Sequence, residues 1–155
     1  MASLLIALST WLHELATIVM IGYYIFTSLI FLPLFERQMQ ATALRNMLER
    51  LSSRFMPYFG GSLLIFLVTG SYLLLINKSY MGLGHFFGNP WSALIVIKHL
   101  LVLVFMALAV YSERAFLTQI SEDNPAALKK FRLALYINTC IGTAIILLTS
   151  IAQAV

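Results

Sequence analysis

Four apolar runs decide what this chain can become. One lies within residues 4–35, with its membrane crossing at about 12–35; the others are 57–76, 91–111 and 133–152. Each is about as long as, or longer than, the ~20 residues that carry a helix across ~30 Å of hydrocarbon. Backbone groups in lipid must satisfy one another, and a run of this length does so as a helix. The composition agrees. The chain is 61% hydrophobic and 10% charged, where soluble domains run near 45–50% and about 25%. These features predict an all-α integral membrane four-helix bundle, with residues 1–155 forming a single transmembrane domain. The small basic excess, 10 Lys and Arg against 6 acidic residues, does not point to nucleic acid, because basic residues in membrane proteins mostly mark cytoplasmic loops. The expected surroundings are the lipid bilayer, with no nucleic acid.

The segments between the runs complete the plan. Met1 to Leu12 has no basic start and no small-residue cleavage pattern, so it does not read as a cleaved signal peptide. The first run is longer than a bilayer requires, so it must tilt, kink at Pro33, or begin with an interfacial extension. Glu36–Met56 carries Leu44, Met47, Leu48 and Leu51 at helical spacing among arginines, which predicts an amphipathic helix on the membrane surface. Pro57 suits the first turn of the second span, and Gly60, Gly61 and Gly70 suit close helix approach. The Gly-rich stretch 77–90 reads as a loop. Ser121 to Pro125 reads as a turn and helix start before the last span. Arg37, Arg45, Arg50, Arg54, Arg114, Lys129, Lys130 and Arg132 fall in the first and third loops, and only Lys78 in the second. The positive-inside rule then puts both termini and the second loop on the outer, periplasmic side of a bacterial inner membrane. Trp11 and Trp91 sit at that outer boundary. A weak parallel repeat links the halves: Phe35-Glu-Arg37 matches Ser112-Glu-Arg114, and Thr69-Gly70 matches Thr149-Ser150.

Chemistry concentrates in two polar doublets inside the spans, His13-Glu14 and Lys98-His99. An ionisable residue at the centre of a membrane helix costs about 2.5–3.5 kcal/mol on insertion scales, so it is a functional-site hypothesis by default. Their relative depth is less clear. Counted from Arg37 and Arg114, His13 lies roughly 36 Å and His99 roughly 22 Å along their helices. A shared site therefore needs strong tilt. Three readings compete. In the first, b-type haem is held by His13 and His99 as axial ligands, with Lys98 and Glu14 beside it, for electron transfer or haem-linked oxidation. In the second, copper is handled by His13, Met81 and His85. In the third, the chain is a structural subunit of a larger membrane complex, Lys98 pairs with Glu14 and the histidines bond backbone carbonyls. Other membrane redox subunits are candidate partners under the first and third readings. No phosphate loop, dinucleotide fingerprint or nucleophile elbow is present, and Cys140 reads as a small buried hydrophobe.

Trp11-Leu-His-Glu14 opening span one, Phe31-Leu-Pro-Leu-Phe35 near its end, the basic stretch through Arg54, and Pro90-Trp91 leading to Lys98 form a pattern. It resembles two bacterial families: the HemJ-type protoporphyrinogen oxidases and the copper-resistance D (CopD) domain proteins. The first resemblance implies a haem-b-binding membrane protein with His13 and Lys98 as key positions, and leaves open an oxidoreductase or a non-catalytic haem-binding subunit. The second implies copper uptake across the inner membrane. The chain departs from the oxidase pattern at Ile21-Gly-Tyr-Tyr24 and Ile137-Asn-Thr-Cys140.

Overall fold

The computed structural model describes residues 2–80, 85 and 88–154. All regular structure among them is helical: α1 (Ala2–Phe26), a π-helical segment (Thr27–Phe31), α2 (Leu32–Phe35), α3 (Ala41–Ile76), α4 (Pro90–Ala115) and α5 (Pro125–Ala154). A 3₁₀ turn at Leu117–Gln119 follows α4. Four stretches, Ser3–Phe35, Ala41–Ile76, Pro90–Gln119 and Pro125–Ala154, are long and apolar enough to cross a membrane. This is an all-α, multi-pass membrane protein.

Pro33 bends the first long helix without ending it. Proline offers no N–H, and its ring collides with the carbonyl four residues back. The chain answers just upstream by widening into the π segment, where the Leu32 N–H reaches the Thr27 carbonyl five residues back. At 36 residues, α3 is about 54 Å long. It corrects the expectation of a separate surface helix ending before Pro57. The amphipathic stretch and the second span are one rod, with Pro57 inside it. The helix tolerates this because the acceptor left without a donor, the Ser53 carbonyl, belongs to an exposed residue that water can reach. The leucines of the stretch still do what their spacing implies. Leu44 and Leu48 are buried in the same core as Leu117, Ile120 and Ala127.

The helices associate as two pairs, α1 with α3 and α4 with α5, joined mainly along α1 and α5, while α3 and α4 hardly touch. The central seam is tight at one point: a Cβ on Gly142 would stand 2.7 Å from Cγ2 of Ile21. Gly60 and Gly61, by contrast, face open space, so the close approach expected there does not occur. Below this seam a buried Ser28–Thr139 hydroxyl bond of 2.7 Å links α5 to the π segment. Beside it the Asn138 amide and the Thr27 hydroxyl are buried without partners. The outward surface is apolar, with Leu64, Val68, Leu75, Leu103 and Leu147 all more than half exposed. That is how a protein solvated by lipid is arranged. Cys140 belongs to this exposed surface, which corrects its reading as a buried hydrophobe.

The basic ends of the helices are wired together by side chains. Arg132 pairs with Glu36, and the Ser52 hydroxyl donates to Glu113 at 2.7 Å. Gln40, the residue before α3, supplies no side-chain cap. Glu122 supplies one from the far loop, accepting from the Thr42 backbone N–H at 3.0 Å and from the Thr42 hydroxyl. This places a carboxylate against the free N–H groups of the first turn of α3. The Thr42 hydroxyl, then its N–H, hold the Glu122 carboxyl below the ordinary carboxylate range.

Candidate functional site

At the other end of the bundle the four long helices splay around a cavity of about 190 Å³. α1 contributes Thr10, His13 and Glu14, and α3 contributes Gly70, Leu73, Leu74 and, just beyond its end, Asn77. α4 brings Trp91, Ile95, Lys98 and His99, and α5 brings Thr149, Ala152 and Gln153. Both polar doublets therefore line one chamber. The depth count from Arg37 and Arg114 misjudged this because those two arginines are not level. Tyr24, eleven residues after His13, packs edge-on against Phe105, only six residues after His99.

His13 is held from two directions by α3. Its ring stacks on Phe66 with centroids 4.3 Å apart and planes 23° apart. Its Nδ1 lies 3.0 Å from the Thr69 hydroxyl oxygen. That hydroxyl gives its only proton to the Ile65 carbonyl, 2.6 Å away. The Thr69 oxygen must then accept, so His13 Nδ1 carries the proton and Nε2 keeps a free lone pair. Gly70 makes this approach feasible, because a Cβ there would stand 3.0 Å from His13 Cε1. His99 reaches the same tautomer by a different route. Its Nδ1 is 2.7 Å from the Ile95 carbonyl, which can only accept, so in the neutral ring Nε2 would be the lone pair. In metal sites a ligating imidazole usually donates its other ring N–H to such a partner. The close approach expected at Gly70 is thus found, whereas the roles of Phe66 and Thr69 were not read from the sequence, although Thr69-Gly70 stood out as a repeat position.

The rest of the site differs from expectation in three ways. Lys98 is 8% exposed, and among the described residues it makes no ion pair within 4.0 Å and no hydrogen bond. Glu14 lies at the exposed rim instead of pairing with it, so the ion pair expected for a structural subunit is not formed. The cavity falls below the roughly 300–1,000 Å³ of pockets that take organic ligands. It has room for an ion and a few small ligands but not for a porphyrin, so the residues as arranged do not fit haem. Finally, His85 is exposed, on the segment between Asn77 and Trp91, both of which line the cavity. Met81 lies outside the described residues. No three of His, Cys, Asp or Glu among the described residues come together as a metal cluster.

No curated protein and no solved structure matches the chain. A family model does: copper resistance protein D, over residues 49–152. The matched stretch contains Lys98, His99 and the α3 residues that hold His13, while His13 itself lies before it. With about two thirds of its length matched, and with four membrane helices, the chain belongs to the copper resistance protein D family.

Proposed function

We propose that the protein handles copper at this cavity, on the outer face of a bacterial inner membrane. One observation supports the reading beyond family membership: His13 and His99 line the same chamber, each with Nδ1 committed and Nε2 free. Imidazole suits copper, and thioether selects its cuprous form. In this reading His13 and His99 are the inner donors, and His85 with Met81 on the connecting segment are the outer ones. A site with two imidazole donors, one half-buried at His13 and one exposed at His99, fits a metal that passes through or is handed on, because a cage of three or four ligands would retain it. The orientation rests on charge. Eight of the ten basic residues lie away from the cavity end, and by the positive-inside rule they face the cytoplasm.

The test is cuprous ion binding to the detergent-purified protein, measured in competition with a chromogenic chelator. The expected result is binding that the combined His13→Ala and His99→Ala substitutions abolish, with the helical circular dichroism unchanged. Equal binding in that double variant would overturn the assignment of the cavity. A Soret band in the purified native protein would replace copper by haem.

A further inference from the structure

Lys98 presents a problem that the copper reading does not solve. Its ammonium group has three N–H donors and no acceptor function, it is more than nine-tenths buried, and among the described residues nothing accepts from it. It lines the cavity. A lysine placed this deep in a membrane protein ordinarily pairs with a carboxylate or a carbonyl. Much of the lining around it also donates. The indole of Trp91 can only donate. The Asn77 side-chain oxygen already accepts from the Ser79 N–H at 2.8 Å, which leaves its amide hydrogens free. Gln153 adds a further amide. Acceptors line the cavity too, the Thr10 and Thr149 hydroxyl oxygens, the Gln153 amide oxygen and the Glu14 carboxylate, but among the described residues none of them bonds to Lys98. Among those residues Glu14 is the one lining carboxylate, and it stands at the exposed rim, not within 4.0 Å of Lys98.

We propose that the cavity binds a small free monoanion, a halide or a short carboxylate, directly against Lys98. The volume of about 190 Å³ accommodates such an ion with its residual water. The ion supplies the acceptor that Lys98 lacks and lowers the positive potential that would otherwise oppose a cation arriving at His13 and His99. The anion site stands without the copper reading, since it follows from the unpartnered Lys98 and the space beside it.

Iodide is a suitable probe, because it is a monoanion that quenches tryptophan on contact and Trp91 is part of the lining. With Trp11→Phe as background, Trp91 is the only indole left. Quenching is followed in neutral, lipid-free detergent at constant ionic strength held with sulfate. The expected curve saturates and is reversed by chloride or acetate. Lys98→Arg keeps saturation, and Lys98→Met weakens iodide binding by about tenfold or more, the scale of a lost hydrogen bond to a charged group. Linear, collisional quenching in the Lys98 protein would overturn the proposal, whatever Glu14→Gln then does. So would a half-saturation concentration that Lys98→Met leaves unchanged. Displacement of iodide by phosphatidylglycerol but not by chloride would assign the site to a lipid headgroup and overturn the small-anion assignment. No metal enters these measurements, so their failure leaves the copper test untouched.

Discussion

The two ends of this bundle use similar polar residues in opposite ways. At the basic end, polar side chains find one another: Arg132 with Glu36, Glu122 with Thr42, Ser52 with Glu113. At the cavity end the histidines are anchored on one side only, Lys98 is without an acceptor and Glu14 stands apart. Cross-helix bonds of this kind hold helices in register, even though Arg45 Nε, Arg132 Nε, Thr27 and Asn138 keep buried polar atoms without partners among the described residues. The contrast supports the proposal that the basic end is scaffold and that binding belongs to the cavity end.

Substitutions that separate binding from stability test this contrast. The largest binding effect short of removing a ligand should come from Thr69→Val. It removes the acceptor for His13 Nδ1–H, and such support of a metal-ligating imidazole is worth roughly 10–100-fold in affinity. Cuprous ion competition should show the loss with little change in thermal midpoint; unchanged affinity would mean that Thr69 does not set the His13 tautomer. Gly142→Ala should do the reverse. It drives a Cβ into the stiff, β-branched Ile21 and should cost about 1–3 kcal/mol by overpacking. Adding Ile21→Ala should recover part of that, as read by denaturation in detergent; additive losses would show that the two residues do not meet.

Smaller effects belong to the basic end. Arg132→Met breaks a half-exposed pair and should cost up to about 1 kcal/mol, with no change in copper or iodide binding. A binding change there would blur the division between the two ends. Glu122 should give the smallest effect, visible through pH. Its carboxyl is held below the ordinary range in the folded state, so its contribution is complete above the unfolded carboxylate pKa. The contribution disappears as pH falls through the lowered, folded value. Glu122→Gln should flatten the acid side of the stability profile, and a profile that keeps its slope would assign that slope to other carboxylates.

The sequence made the helices legible because their signals are local. Length, apolar content and the Asn124-Pro125 start needed no knowledge of neighbours. The amphipathic stretch and the second span were separated at Pro57 because local rules make proline a helix start. Whether a mid-helix proline is tolerated depends on where the orphaned carbonyl points, and that is a tertiary property. The doublets His13-Glu14 and Lys98-His99 were visible as costly residues in lipid. Their meeting was not, because it depends on relative helix height, and landmarks such as Arg37 and Arg114 are level only in an untilted bundle. Gly142 was missed for a similar reason: nothing beside it in the chain marks a close approach, and only the opposing Ile21 sets it apart from Gly60 and Gly61.

The unbroken α3 carries one mechanical consequence. A rod of about 54 Å connects the polar contacts below to Phe66, Thr69 and Gly70 above, and Pro57 is its one weak joint. Gly70 lies thirteen residues beyond that joint, about 20 Å along the axis. A change of ten degrees in the bend at Pro57 would sweep Gly70 sideways by about 3 Å, which exceeds the clearance between a hydrogen-bonded and a separated His13–Thr69 pair. Any bend at Pro57 would therefore reach the His13–Thr69 bond over a lever arm of about 20 Å.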